Sequence, residues 1–196
     1  MTTAFAAPLP RATARPREVD SRGAYLGFAG AYLFGHGASA LAKGSDPVLA
    51  LPGWLPMTLL ALGLATGSVL ATIAALRAMK GADKAEALSG NLLGASWVVG
   101  MGAVFLLITG LHSMEGMPDL QSVLWPSGAG FVVGLIYLAE GAVRRNVLHY
   151  VLGTYLALLS TAALFLGTPG MFWLLALAGS GGFVIAAVLE KRRLAI

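Results

Sequence analysis

The sequence predicts an all-α integral membrane protein: a six-transmembrane-helix bundle with its N and C termini in the cytoplasm. Of the 196 residues, 57% are hydrophobic and only 11% are charged, whereas a soluble domain carries roughly 25% charged residues. The apolar residues fall into long runs. If each run crosses the membrane once, every Lys and Arg except Lys43 lies on the same side. A multi-pass protein of the cell membrane has this composition and this charge pattern.

A membrane-spanning helix needs about 20 apolar residues. Six segments meet this requirement: 23–42, 53–76, 88–111, 124–143, 147–168 and 170–189. Short connections join them, so we expect one transmembrane domain over residues 23–193. Residues 1–22 are rich in Pro, Ala and Arg and lack the apolar core of a signal peptide, which favours a disordered cytosolic tail.

Basic residues determine the predicted orientation. They precede the first segment, connect the second to the third and the fourth to the fifth, and follow the sixth. Because Lys and Arg are retained on the cytoplasmic side, both ends of the chain are expected there. The sequence pI of about 9.7 therefore reflects membrane topology, and we expect the lipid bilayer, and no nucleic acid, as a partner.

The first segment combines spanning length with an unusual set of polar and small residues. At 3.6 residues per turn it presents two unlike faces. The polar and aromatic face holds Phe28, Tyr32, His36 and Ser39. The smooth face beside it holds Gly27, Ala31, Gly35 and Ala38. We expect the smooth face to pack closely against a neighbouring helix and the polar face to turn away from lipid.

His36 lies deep in this segment, and no carboxylate in the sequence is obviously placed to neutralise it. Either it lines an aqueous path and senses or relays protons, or it is a neutral imidazole that bonds a carbonyl or hydroxyl of a helix. His112 and His149 are expected at opposite membrane surfaces, and the chain has no cysteine. We therefore expect no metal site and no cofactor.

Four further polar residues of the predicted spans have two interpretations each. Asn91 and Ser96 in the third segment either line a pore or form interhelical hydrogen bonds. Glu140 and Glu190 either form a cytoplasmic vestibule or have structural roles, in which Glu140 pairs with Arg144 at i,i+4 and Glu190 is solvated at the interface. The sequence shows no catalytic constellation, so we do not expect an enzyme.

Four stretches resemble the acetate uptake transporter family, the succinate–acetate permeases, over roughly residues 20–193. Leu26, Gly27 and Phe28 are similar to a Gly-Phe step early in that family's first helix. The other three are the string from Leu76 through Met79, Lys80 and Gly81 to Gly94–Trp97, the stretch Val147–Tyr150, and the stretch from Gly181 and Gly182 to Glu190. The family's Asn-Pro-Ala-Pro-Leu-Gly motif at the start of the first helix is replaced here by Val19–Ala24, with the sequence Val-Asp-Ser-Arg-Gly-Ala.

The resemblance implies a homo-oligomer, a hexameric ring, in which each subunit encloses a pore for small monocarboxylates such as acetate, moved with protons or down a gradient. It places a hydrophobic constriction at Phe28, Leu93 and Tyr155. Tyr32, His36, Asn91 and Ser96 then become pore-lining residues. The expected function is thus a channel or transporter for a small solute.

Two alternatives remain open on the sequence. Gly130, Gly134, Tyr137 and Ala139 resemble, more weakly, a helix of the acid-gated urea and amide channels, which would make a neutral amide the solute. Glycine-rich helix surfaces would also suit a non-transporting accessory or scaffold subunit, bound to a membrane-protein partner within a larger complex.

Overall fold

The structure, a computed structural model, describes residues 18–116 and 120–195. Over these ranges the chain forms helices and connecting turns, with no β-strand, which confirms the all-α class. Residues 1–17 of the predicted tail lie outside the described residues.

The helices are numbered α1 to α6 in chain order. α1 comprises Arg22–Gly30, a π-helical turn Ala31–His36, and Gly37–Ala42. α2 is Trp54–Ala78, α3 is Lys84–His112 and α4 is Gln121–Val143. α5 is Val147–Ala162, followed by a 3₁₀ turn Ala163–Leu166. α6 comprises Gly167–Leu174, a π-helical turn Leu175–Gly179, and Ser180–Leu194.

In the described part of the chain, four helical runs are long and apolar enough to cross a membrane: Trp54–Ala78, Lys84–His112, Gln121–Val143 and Val147–Leu194. They support the membrane class of the protein. The last run contains both α5 and α6, and α1 is divided by its π-helical turn. Six crossings and cytoplasmic termini stay predictions.

The run from α5 to α6 reverses near Gly167. That glycine has φ of +58°, and Thr168 is extended at φ −95° and ψ 131°. Thr168 precedes Pro169, and a proline disfavours the helical conformation in the residue before it. The two helices then pack side by side, because the Tyr155 hydroxyl donates to the Ala178 carbonyl at 2.8 Å.

α3 begins four residues earlier than its predicted segment. The Asp83 carboxylate accepts from the amides of Ala85 and Glu86 at 2.9 Å each. An aspartate that satisfies the first amide groups of a helix is a strong N-cap. It extends the helix through Lys84–Ala87, a stretch with two charged residues that hydropathy alone excludes from the spanning segment.

The smooth face of α1 packs on α2, which confirms its expected role. A Cβ at Gly27 would lie 2.7 Å from the Gly67 Cα, and a Cβ at Gly63 would overlap the Ala31 backbone. At Gly35 a Cβ would lie 2.6 Å from the Leu60 Cα. Only small residues permit this approach of two helix backbones.

α4 and α5 approach each other even more closely. A Cβ at Gly134 would lie 2.5 Å from the Ala157 amide nitrogen, and one at Gly153 would lie 2.6 Å from the Gly134 carbonyl oxygen. At Gly141 a Cβ would lie 2.7 Å from the Tyr150 Cα. These glycines bring the backbones of α4 and α5 into direct contact.

α1, α4, α5 and α6 surround the core, while α2 and α3 lie at the periphery. α3 packs on α4, where Trp97 meets Tyr137 at 5.5 Å between ring centroids. The buried residues of α3 are Val104 and Ile108, and those of α2 are Pro56 and Gly67. Most of the apolar surface of both helices is therefore exposed in the single chain.

Candidate functional site

A stripe of aromatic and polar side chains on α1 faces the centre of the bundle. Tyr25, Tyr32 and His36 are buried, with 0%, 6% and 3% of their surface exposed. Between them Phe28 packs against Phe183 of α6, with ring centroids 5.6 Å apart. From Tyr25 to His36 the stripe extends about 16 Å along the helix axis. Helical spacing of three and four residues aligns these side chains, as the sequence predicts for Phe28, Tyr32 and His36.

Two π-helical turns meet at the level of Tyr32. One is Ala31–His36 in α1, and the other is Leu175–Gly179 in α6. The Tyr32 ring occupies the notch that Gly179 leaves, since a Cβ there would overlap the ring. π-Helical turns within α-helices occur frequently at functional sites. Here they place Tyr32 and His36 in the space between α1 and α6.

Ser160 of α5 is the clearest unsatisfied polar group beside this stripe. It is 0% exposed, and its hydroxyl has no hydrogen-bond partner among the described residues. A Cβ on Gly130 of α4 would overlap the Ser160 Oγ and lie 3.2 Å from the Tyr32 hydroxyl. Two hydroxyl groups thus lie beside the same glycine gap in an apolar core. A buried hydroxyl without a partner is costly and calls for an explanation.

His36 lies among aromatic rings. Its ring meets Tyr32 edge-on at 4.9 Å and Phe172 at 6.2 Å. The Lys43 ammonium lies 5.0 Å from the centre of the Phe172 ring. No ion pair in the described part of the chain includes His36, in agreement with its unpaired position in the sequence.

At the basic end of the bundle the stripe joins a network of ionisable groups. The Tyr25 hydroxyl and the His149 Nδ1 are hydrogen-bonded at 2.7 Å. The His149 Nε2 lies 3.5 Å from Glu140 and has no hydrogen-bond partner among the described residues. Arg144 donates to Glu140 at 3.0 Å, which is the predicted i,i+4 pair. Tyr137 packs on the His149 ring at 4.2 Å.

Glu190 is fully buried, so the alternative in which it is solvated at the interface is wrong. Arg193 donates to it at 2.7 Å and 2.9 Å, and the Ser21 amide lies 3.4 Å from its Oε1. Arg193 also donates to the Val19 carbonyl at 3.2 Å. Glu190 therefore ties the end of α6 to the residues that precede α1.

Residues at the start of the first helix form a local charge pair. Arg22 and Asp20 make an ion pair at 2.6 Å. The hydrogen bond from Arg22 holds the pKa of the Asp20 carboxyl below its usual value of 3.8.

A cavity of about 670 Å³ opens at this end of the bundle. Glu140, Arg144 and His149 line it, together with Arg193, whereas Glu190 is not among the lining residues. The network of Tyr25, His149 and Glu140 thus connects the buried stripe to an open space.

The remaining predicted site residues lie away from the stripe. Asn91 and Ser96 are on the exposed surface of α3, where Ser96 bonds the Leu92 carbonyl of its own helix at 2.9 Å. Leu93 is half-buried. Tyr155 is 38% exposed and lies against Gly182 of α6. Phe28 packs against Phe183 and beside Gly67, so these contacts do not bring the predicted constriction residues together.

Sequence reasoning missed Tyr25, Tyr137, His149 and Ser160 as members of the site. Tyr25 precedes Phe28 by three residues and Tyr32 by seven, so the helical period already placed it on the same stripe. The other three lie on α4 and α5, and only helix packing brings them to α1. Among the described residues, no group of three or more His, Asp or Glu side chains could hold a metal ion.

No protein-family model, curated protein or solved structure matches this chain.

Proposed function

We propose that the protein is a six-span membrane channel or transporter for a small solute, first of all a monocarboxylate such as acetate. The observation that carries this proposal is the buried stripe of Tyr25, Tyr32 and His36, which faces the centre of the bundle. Polar and ionisable residues inside a membrane domain are costly and mark solute or proton pathways.

The contents of the stripe suit a small, singly charged solute. The hydroxyls of Tyr32 and Ser160 could each donate a hydrogen bond to a carboxylate. The Ser160 hydroxyl is without a partner among the described residues. The contact of Phe28 with Phe183 lies between Tyr25 and Tyr32, where it would block a solute that moves along the stripe. In this proposal that aromatic contact is the gate, and its movement admits the solute.

Ionisable groups at both ends support a link to protons. His36 lies at one end, and Tyr25, His149 and Glu140 lie at the other. Histidine is the side chain best suited to gain and lose a proton near neutral pH. In the proposed orientation the cavity beside Glu140 is the cytoplasmic vestibule, and the basic residues around it attract anions.

We further propose that the protein assembles as a homo-oligomer, with the hexamer as the first candidate. α2 and α3 expose large apolar surfaces, and a Cβ at Gly94 of α3 would contact nothing within 4 Å. Helices of neighbouring subunits could approach closely at such positions.

Uptake by proteoliposomes tests the function directly. Vesicles containing the purified protein should accumulate labelled acetate faster than empty vesicles, and unlabelled acetate should compete. Urea and acetamide in the same assay address the neutral-amide alternative, which predicts uptake of these solutes and not of acetate. Uptake no faster than in empty vesicles, across small acids and amides alike, would refute the transport proposal.

Ser160→Ala is expected to separate stability from transport. Removing a buried hydroxyl that has no partner should leave stability unchanged or raise it by about 1 kcal/mol. If the hydroxyl serves the solute, acetate uptake should nevertheless fall several-fold. Thermal unfolding in detergent and vesicle uptake measure the two effects.

Ser96→Ala is the matched control, because its hydroxyl bonds its own helix on an exposed face. It should change neither stability nor uptake. Unchanged uptake in Ser160→Ala would remove Ser160 from the solute path.

His36→Asn tests the proton link. Uptake by the unaltered protein should change between about pH 5 and pH 8, the range in which histidine gains or loses its charge. The variant should show a flatter profile, whereas His112→Asn, at an exposed helix end, should keep the original one. A pH profile that His36→Asn does not alter would assign His36 to packing alone.

The exposed surfaces of α2 and α3 also favour a second candidate, a non-transporting accessory subunit whose partner covers them. Gentle purification separates the two candidates. A different membrane protein that co-purifies in fixed ratio supports the accessory subunit, and a homo-oligomer that transports supports the channel.

A further inference from the structure

Two adjoining spaces form a crevice that leads from the basic end of the bundle to the boundary between α5 and α6. Its polar part is the cavity of about 670 Å³ described above. Its apolar part is a groove of about 400 Å³ between α5 and α6. Leu148, Val151 and Leu189 line both parts, so the two spaces adjoin each other.

The polar part offers one basic side chain that no described residue neutralises. Glu140 pairs with Arg144 at 3.0 Å, and Glu18 pairs with Arg193 at 3.2 Å. Arg145 lines the same cavity, is exposed, and makes no ion pair among the described residues. Among the described residues that line this part, the one charge without an ion-pair partner is therefore positive.

The start of α5 adds to this positive potential. Asn146 caps the helix by accepting from the His149 amide at 3.1 Å. The amides of Val147 and Leu148 have no intrahelical acceptor, because both residues lie in the first turn of the helix. Both residues line the cavity. Amide groups at a helix N-terminus favour a phosphate or another anion, and here they lie beside Arg145.

The apolar part has the shape of a channel for a hydrocarbon chain. It follows α5 from Leu148 to Tyr155, about 10 Å along the helix. Across it, Gly181 of α6 leaves the groove open, because a Cβ there would meet nothing within 4 Å. Tyr155 closes the groove wall, and its hydroxyl is already satisfied by Ala178.

We propose that this crevice binds one anionic phospholipid. Its phosphate lies at Arg145 and the first amides of α5, and one acyl chain lies in the groove beside Gly181. The arrangement matches the two parts of a lipid in sequence. The positive charge at the helix ends matches the phosphate, and the apolar groove along the helices matches the acyl chain. Basic pockets between transmembrane helices bind anionic headgroups in this way. The proposal does not depend on what the protein transports.

Native mass spectrometry of the full-length protein in detergent tests the site. The protein is titrated with phosphatidylglycerol and with phosphatidylcholine that carry the same acyl chains. We expect one phosphatidylglycerol to bind per chain with about fivefold preference over phosphatidylcholine, the factor that one arginine gives at an anionic lipid. Equal binding of the two lipids would overturn the proposal.

Two variants test the two parts of the crevice separately. Arg145→Gln should abolish the preference for phosphatidylglycerol, and Arg192→Gln, an exposed arginine outside the cavity lining, should retain it. Gly181→Leu should fill the groove and weaken the binding of both lipids, and Gly102→Leu should not. Circular dichroism and gel filtration establish that each variant is folded. Equal effects of the variants and their controls would show nonspecific lipid binding and refute the site.

Inorganic phosphate distinguishes a lipid site from a site for free anions. Added phosphate should not displace the bound phosphatidylglycerol, because it lacks the acyl chain that occupies the groove. Full displacement by phosphate, together with no effect of Gly181→Leu, would contradict lipid binding.

Discussion

Replacing Gly153 by leucine is expected to abolish the packing of α5 on α4. A Cβ at this position would overlap the Leu138 amide and lie 2.6 Å from the Gly134 carbonyl oxygen, so a side chain would collide with backbone atoms that cannot rotate away. Overpacking of a core typically costs about 1–3 kcal/mol, and a backbone collision belongs at or above the upper end. We expect a thermal midpoint in detergent that falls by at least about 10 °C, or no folded protein.

Gly102→Leu in α3 is the matched control for this prediction. It introduces the same side chain into a helix, at an exposed position where a Cβ meets nothing within 4 Å. Leucine is also the better helix former of the two residues, so this variant should be at least as stable as the original protein. Similar midpoints for Gly153→Leu and Gly102→Leu would show that α4 and α5 are not in backbone contact.

Arg193→Ala is expected to be the most destabilising loss of a charged side chain. Glu190 is 0% exposed and receives two hydrogen bonds from Arg193, so the variant leaves a carboxylate buried without its cation. Removing one partner of a buried ion pair costs about 3–5 kcal/mol. Thermal unfolding of the purified protein measures the loss.

The double variant Arg193→Ala with Glu190→Gln makes this prediction specific. Glutamine occupies nearly the same volume without charge, so the double variant should recover a substantial part of the stability that Arg193→Ala loses. Arg192→Ala, at an exposed neighbouring position, should change stability by less than about 0.5 kcal/mol. If the double variant is no more stable than Arg193→Ala, the buried charge is not the cause of the loss.

The proposed solute path and the proposed lipid site share one end of the bundle but use different groups. The path leads inward from His149 to Tyr25 and the α1 stripe. The lipid site leads outward from Arg145 to the groove at Gly181. Both proposals use the cavity at that end, so Arg145→Gln is expected to affect both. Gly181→Leu and Ser160→Ala lie outside the lining of that cavity, and they are expected to separate lipid binding from transport.

The sequence by itself determined the helical class, the apolar segments and the two faces of α1. Hydropathy and the 3.6-residue period are local properties, and they placed Phe28, Tyr32 and His36 on one stripe and the small residues beside it. The same locality explains the predicted pair of Glu140 with Arg144, since both belong to one helix.

Only the tertiary structure decided which groups meet that stripe. His149 and Ser160 reach it because glycines let α5 lie against α4, and Phe183 reaches it from α6. Asn91 and Ser96 lie instead on the exposed surface of α3, because α3 packs on α4 through Trp97 and Val104. Glu190 is buried because Arg193 and the backbone before α1 surround it. Sequence periodicity identifies the faces of a helix, but the residues that oppose each face depend on helix packing across the whole chain.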